Sequence, residues 1–160
     1  MERIWSPWRR EYVTKGVDQP GCILCRAWEG QGDADRLVVH RGKGAFVVMN
    51  LFPYNAGHVM VAPARHVGSL GAATAEELSE LMGLAQRLEQ ALGVEYRPDG
   101  LNLGMNLGRS AGAGIADHIH LHVVPRWTGD TNFMTTLGET RVIPEDPAEA
   151  CVRLRKRFEP

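Results

Sequence analysis

Hydrophobic and polar positions along the chain follow two different periods. Between Arg36 and Pro63 the short runs Arg36-Leu37-Val38-Val39-His40, Ala45-Phe46-Val47-Val48-Met49-Asn50 and His58-Val59-Met60-Val61-Ala62-Pro63 are rich in β-branched and aromatic residues, the composition of strands packed on at least one face. Pro53-Tyr54-Asn55-Ala56-Gly57 supplies a turn before the third run, so the three predict an antiparallel meander. From Thr74 to Gly93 the period lengthens: Leu78, Leu81, Met82, Ala85, Leu88 and Leu92 recur at spacings of three and four, the signature of an amphipathic helix. Thr74 with Glu77 has the form of a capping box, and Gly93 stands where a helix commonly stops. Strand signals return at Leu101–Leu107 and His118–Val124, separated by the small-residue loop Gly108–Asp117. Asp146-Pro147 opens a short final helix as N-cap and first-turn residue, whose Arg153, Arg155, Lys156 and Arg157 are expected to lie in water and complement the helix dipole. The pattern predicts an α+β fold: an antiparallel sheet of about five strands with one long helix and a short C-terminal helix. Residues 1–33, rich in Trp, Arg, Gly and Pro without a period, are expected to form an irregular arm on a single domain, with a core over 34–127 and a C-terminal extension over 128–160.

Composition narrows the function. At 160 residues and 44% hydrophobic, the chain suffices for one good core and not for two. Eighteen basic residues against 19 acidic leave a net charge of −1, so no broad positive field is present to gather nucleic acid. The opening Met1-Glu2-Arg3-Ile4-Trp5-Ser6-Pro7-Trp8-Arg9-Arg10 lacks the apolar core of a secretory signal, and no run is long enough to span a bilayer. A soluble cytoplasmic protein with no membrane partner is therefore expected. The three cysteines, Cys22, Cys25 and the distant Cys151, do not form a disulfide framework. Cys22-Ile23-Leu24-Cys25 has the spacing that lets two thiolates grip one metal, but two ligands are half a site; a reduced buried pair or a redox dithiol fits the same spacing.

Three of the six histidines fall in His118-Ile119-His120-Leu121-His122-Val123-Val124. On a strand, residues two apart share a face, so the three imidazoles are expected on one side while Ile119, Leu121 and Val123 pack into the core on the other. A neutral imidazole acts near pH 7 as nucleophile, proton carrier or stabiliser of phosphate oxygens. The loop before it, Asn106-Leu107-Gly108-Arg109-Ser110-Ala111-Gly112-Ala113-Gly114-Ile115, has side chains small enough for backbone N–H groups to approach an anion.

The heptapeptide resembles the His-φ-His-φ-His-φ-φ signature of the histidine triad superfamily. Asn50-Leu51-Phe52-Pro53-Tyr54-Asn55-Ala56-Gly57-His58-Val59-Met60-Val61 resembles its upstream segment, and Pro125-Arg126 follows the trio as in many members. Trp5–Arg10, Gly129–Phe133 and Val142–Pro144 are similar to the bacterial branch of diadenosine tetraphosphate phosphorylases and hydrolases related to the fragile histidine triad protein. The resemblance implies that His120 attacks the α-phosphorus of a dinucleoside polyphosphate and forms a nucleotidyl-histidine, which water or phosphate then resolves. It implies that His118 and His122 hold phosphate oxygens and the leaving group, that His58 lies behind the nucleophile, and that Asn50 binds ribose with Leu51 lining the base site. Where many members carry Gly-Gln, this chain has Ala113-Gly114, in a loop one residue longer. Phosphate recognition is thus assigned to backbone N–H groups around Gly112, Ala113 and Gly114 and to Asn106 or Ser110. The resemblance further implies a structural zinc on Cys22, Cys25, His66 and His118, in competition with a phosphate role for His118, and a homodimer joined through the long helix and the following edge strand. Two other functions fit the same residues: an adenosine 5′-monophosphoramidase, and a nucleotide-binding sensor with vestigial catalysis.

Overall fold

The computed structural model of the protein describes residues 21–131 and 145–158; the segments Trp5–Arg10 and Val142–Pro144, and Asn132 and Phe133, lie outside them. Five strands, β1 (Val38–Arg41), β2 (Ala45–Met49), β3 (Val59–Pro63), β4 (Gly100–Met105) and β5 (Leu121–Arg126), form an antiparallel sheet in the order β1-β2-β3-β5-β4. Three α-helices accompany it: α1 (Ile23–Trp28), α2 (Ala75–Tyr96) and α3 (Pro147–Phe158). The arm expected to be irregular contains α1 and a 3₁₀ segment over Gly32–Leu37 within its described part and at its junction with the core.

Helix α2 buries Leu81, Leu84, Ala85, Leu88, Ala91 and Leu92 against one face of the sheet, where Val47, Val59, Val61, Leu121 and Val123 point, and α3 adds Ala150, Leu154 and Phe158 to the same core. The Thr74 capping box forms as predicted, with Thr74 Oγ1 accepting from Glu77 N–H and Glu77 accepting from Thr74 N–H at 3.2 and 2.8 Å. Two details of the helix depart from expectation. Met82 lies outside the buried stripe and is half-exposed, and α2 runs through Gly93 to Tyr96, stopping where Arg97 takes a left-handed φ of 47° before Pro98, which cannot continue a helix.

The final helix is capped by Asp146, whose Oδ1 accepts from Ala148 N–H at 2.7 Å. Its arginines do not simply face water. Arg153 pairs with Glu95 and Glu145, Arg157 pairs with Glu95, and Arg155 donates to the Val38 carbonyl at 2.7 Å, fastening α3 to α2 and to β1. Their spacing reproduces one turn of a helix whether they are solvated or paired, so sequence alone could not separate the two.

The opposite face of the sheet is covered unevenly. Leu24 and Ala27 of α1 pack on Val38, Phe46, Val48, Met60 and Ala62, the residues of β1–β3 that point that way. Over β5 and β4 the same face carries His122, Val124, Asn102 and Gly104 and opens into a hollow. One half of this face is thus a small second core, and the other half is accessible.

Candidate functional site

Strand β5 starts later than the alternating pattern predicts. His118, Ile119 and His120 precede it, because Ile119 N–H donates to the Val67 carbonyl at 2.7 Å instead of entering the ladder. The paired register with β3 ends at Val61↔Leu121, and Pro63, which has no N–H to offer a ladder, gives its carbonyl to the His118 ring at 2.8 Å. The histidines consequently do not share one row. His120 and His122 remain neighbours, with ring centroids 4.8 Å apart, whereas the His118 ring turns to His66 at 5.0 Å.

Hydrogen-bond partners fix the protonation of each ring, since a carbonyl can only accept and a backbone N–H can only donate. The Nδ1 of His120 lies 2.9 Å from the His118 carbonyl and must carry its proton. A neutral His120 therefore has its lone pair on Nε2. Tyr54 N–H donates to His58 Nδ1 at 2.9 Å, so His58 is protonated on Nε2, which donates to His122 Nδ1 at 2.9 Å. That leaves His122 with an N–H on Nε2. His58 thus stands behind His122 rather than behind His120, as the family segment had led one to expect. Burial, reinforced by neighbouring imidazoles, pushes His58 down to about 3 and His122 down to about 4, so both are neutral at pH 7.

The loop that presents His58 is pinned from two sides. Asn50 Oδ1 accepts from Phe52 N–H at 2.9 Å, and its amide nitrogen lies 3.4 Å from both ring nitrogens of His58. Asn55 donates to the Pro125 carbonyl and to Asp130 at 3.0 and 2.8 Å, and Asp130 is held well below the usual carboxylate range by a two-bond pairing with Arg126. Gly57 N–H donates to Glu145 at 2.7 Å, and the same carboxylate accepts from Tyr96 and Arg153. Neither Asp130 nor Glu145 was singled out from sequence; Asp130 follows Pro125-Arg126 closely, but nothing in the chain marks Glu145.

Of the remaining expected contacts, Leu51 is half-exposed beside Asn50, and Ser110 and Gly114 are exposed in the loop before His118. The amides of Gly112 and Ala113 are not open to an anion as expected. They donate to the Arg109 and Gly108 carbonyls at 3.0 and 3.3 Å, because residues 109–111 close a 3₁₀ turn on Gly108. Asn106 Nδ2 lies 3.5 Å from the Gly112 carbonyl, at the mouth of this loop.

Cys22, Cys25, His66 and His118 come together from four places in the chain, their ligand atoms all within 4.8 Å of one another. The thiol-to-imidazole distances are 3.4 Å (Cys22 to His118), 3.3 Å (Cys25 to His66) and 3.6 Å (Cys25 to His118). Ligands of one tetrahedral ion with metal–sulfur and metal–nitrogen bonds of about 2.3 and 2.05 Å stand about 3.5 Å apart, so the donor set fits a tetrahedral cation. His118 Nε2 donates to Pro63, which leaves Nδ1 unprotonated and facing the thiols, as a metal ligand requires. Without a cation between them, burial and Cys22 push the Cys25 thiol up to about 11. Both nitrogens of His118 are thus engaged, and its ring cannot also present itself to phosphate.

Residues 31–129 match the HIT domain, the histidine triad family. An AP-4-A phosphorylase of Mycobacterium tuberculosis is 41% identical over 91% of this chain and 78% of its own length. The chain belongs to the HIT family. A bis(5′-adenosyl)-triphosphatase of Dictyostelium discoideum is 34% identical over 51% of this chain and 54% of its own length. Among solved HIT structures, a zinc-bound histidine triad protein from Mycobacterium smegmatis superposes with a TM-score of 0.71 at 26% identity, covering 86% of this chain and 93% of that one. The sheet order, the long helix and the C-terminal helix described above are those of the HIT fold.

Proposed function

We propose that the protein cleaves dinucleoside polyphosphates of the diadenosine tetraphosphate and triphosphate class at the α-phosphorus, with His120 as nucleophile. The observation that carries this reading is the 2.9 Å bond from His120 Nδ1 to the His118 carbonyl, which leaves the Nε2 lone pair for attack. As the Nε2–P bond forms, the P–O bond to the polyphosphate breaks and its electron pair leaves on oxygen. The His120 ring then carries a positive charge, and its Nδ1–H remains bonded to the carbonyl oxygen, which stabilises it. His122 Nε2–H, oriented through His58 and Tyr54 N–H, donates to the departing oxygen. Inorganic phosphate, or water that gives up a proton to solvent, next attacks phosphorus from the opposite side, and the Nε2–P electron pair returns to His120. The phosphorylase and triphosphatase among its relatives support this substrate class.

Asn50 binds the ribose and Leu51 borders the base. His118 contributes its main-chain carbonyl, held in place because its ring is fixed between Pro63 and the cysteines. Cys22, Cys25, His66 and His118 hold a structural zinc, which ties α1 and the His66 loop to the approach of β5. A reduced thiol pair of this kind is at home in the cytoplasm. The half-exposed Leu103 of edge strand β4 and the exposed Met82 and Val94 of α2 form the contact of a homodimer, which covers the sheet edge.

The test follows diadenosine tetraphosphate with and without inorganic phosphate. ADP plus ATP formed only with phosphate identifies phosphorolysis, and phosphate-independent products identify hydrolysis. An intact dinucleotide in both conditions contradicts the reading.

A further inference from the structure

Helix α3 is docked without help from the residue that precedes its Asp146 cap. Ala150, Leu154 and Phe158 bury its inner face, and Arg153 and Arg157 pair with Glu95 of α2. Glu145 reaches elsewhere: its carboxylate accepts the Gly57 N–H at 2.7 Å, from a residue 88 positions earlier in the chain, and the residue after Gly57 is His58. We infer that Glu145 is a positioning residue for the reaction, which through Gly57 holds His58 and so fixes the N–H that His122 turns to the departing oxygen. This rests on the proposed function for the role of His122 and extends the machinery to the C-terminal part of the chain.

Gly57 is the link that needs holding. Its φ of +69° lies in the left-handed region, which glycine enters and leaves at little cost, so its own backbone does not fix how the chain enters His58. Two outside contacts do. The Tyr96 ring lies within 2.9 Å of where a Cβ would stand, and Glu145 takes the N–H. Tyr96 also donates its hydroxyl to Glu145 at 2.9 Å, and Arg153 pairs with the carboxylate oxygen that Gly57 does not use. Burial, with Glu145 beside it, pushes the Tyr96 hydroxyl above its ordinary range, so it remains a donor. The Glu145 side chain is only 13% exposed, and donors from three residues hold it in one geometry.

What the clamp transmits is a proton position. His58 Nε2 donates to His122 Nδ1 at 2.9 Å, and this bond puts the proton of His122 on Nε2. Without Glu145 the buried Gly57 N–H must turn to another acceptor, and the peptide rotation carries His58 with it. A retreat of about 0.6 Å stretches the His58–His122 bond to about 3.5 Å, past the useful range. A neutral imidazole released from its partner can hold its proton on either nitrogen. With the proton on Nδ1, His122 faces the departing oxygen with a lone pair, and a hydrogen bond becomes a repulsion. No proton has to leave His122 in the reaction itself, because a polyphosphate departs as an anion and needs only an N–H aimed at its growing charge.

The test compares Glu145→Ala and Glu145→Asp with Glu95→Gln. The Asp variant keeps a charge beside Arg153 but withdraws the carboxylate by one carbon–carbon bond, about 1.5 Å, so the fold is preserved if the Ala variant is too unstable to study. Glu95→Gln weakens the same seam between α2 and α3 without touching Gly57. Two-bond proton–nitrogen NMR on isotope-labelled histidine shows which nitrogen of each ring is protonated, and the His122 signals are those missing from His122→Gln. Turnover of diadenosine tetraphosphate with inorganic phosphate present gives kcat and KM. In both Glu145 variants the expected result is a His122 proton shared between Nδ1 and Nε2, kcat lower by at least about tenfold and KM within about twofold. Glu95→Gln should match the wild type in both measurements. A fall in kcat with the proton still on Nε2, a moved proton with kcat unchanged, or an equal effect of Glu95→Gln overturns the assignment. A wild-type protein that leaves the dinucleotide intact overturns instead the proposed function, while the NMR comparison still decides whether Glu145 sets the His122 proton.

Discussion

The rings of His58 and His122 are kept neutral by burial, helped by His122 and His120 beside His58 and by His120 beside His122, and this has a consequence for stability as well as for chemistry. In the unfolded chain each takes a proton near pH 6.5, while in the folded protein they do so only near 3 and 4. Between those limits the unfolded state binds more protons, so stability rises with pH and is lost as pH falls from about 6.5 toward 4. The slope is at most about 1.4 kcal/mol per pH unit for each imidazole. Urea unfolding at pH 7 and pH 5, compared between wild type and His122→Gln, isolates the contribution, because the carboxylates common to both cancel. The variant should lose less stability over that interval; equal losses would show that His122 is not held neutral by folding. Cooperation between these rings also explains why His58 can be assigned from one backbone bond: once Tyr54 N–H donates to Nδ1, the proton positions of both rings follow.

At the scale of elements, the segment between β2 and β3 is a rigid presenter of His58. Gly57 has a φ of +69°, and a Cβ there would come within 2.9 Å of the Tyr96 ring, while Glu145 takes its N–H. Gly57→Ala should therefore destabilise the protein by at least about 1–2 kcal/mol, measured by thermal or urea unfolding; an unaffected variant would mean that the loop gives way easily. Much of this architecture is legible in the chain. The β-branched runs around Val47 and Val61 and the Leu81-to-Leu92 stripe are periodic because each packs against one core, and Thr74 with Glu77 announces its own cap. What the sequence concealed depends on partners distant along the chain. Alternation alone placed His118 in a strand beside His120, whereas Pro63 and the cysteines, 55 residues or more away, turn it elsewhere. The four metal-cluster residues became a constellation through the family resemblance, since Cys22-Ile23-Leu24-Cys25 by itself has several meanings. Helix α1, at six residues, is too short to show a helical period.

Across the whole molecule, the cluster at Cys22, Cys25, His66 and His118 and the proposed nucleophile His120 are connected through two residues of backbone. The ring of His118 is fixed on one side, and its carbonyl orients His120 on the other, so metal binding should stabilise the fold and sharpen the site together. With metal a thousandfold above its dissociation constant, binding contributes about 4 kcal/mol, which for a chain of this length is a fall in Tm of about 10 °C on removal. Chelator treatment followed by calorimetry checks this, with zinc content measured in parallel; a Tm indifferent to chelation and zinc-free protein as purified would both contradict it. The proposed reaction turns on His120 Nε2 becoming bonded to phosphorus. Its most direct test is rapid acid-free quenching of enzyme mixed with diadenosine tetraphosphate, followed by intact-mass and peptide mass spectrometry. One AMP moiety attached to His120 and no adduct in His120→Ala is the expected result; an adduct on another residue, or turnover in His120→Ala at the wild-type rate, would contradict it.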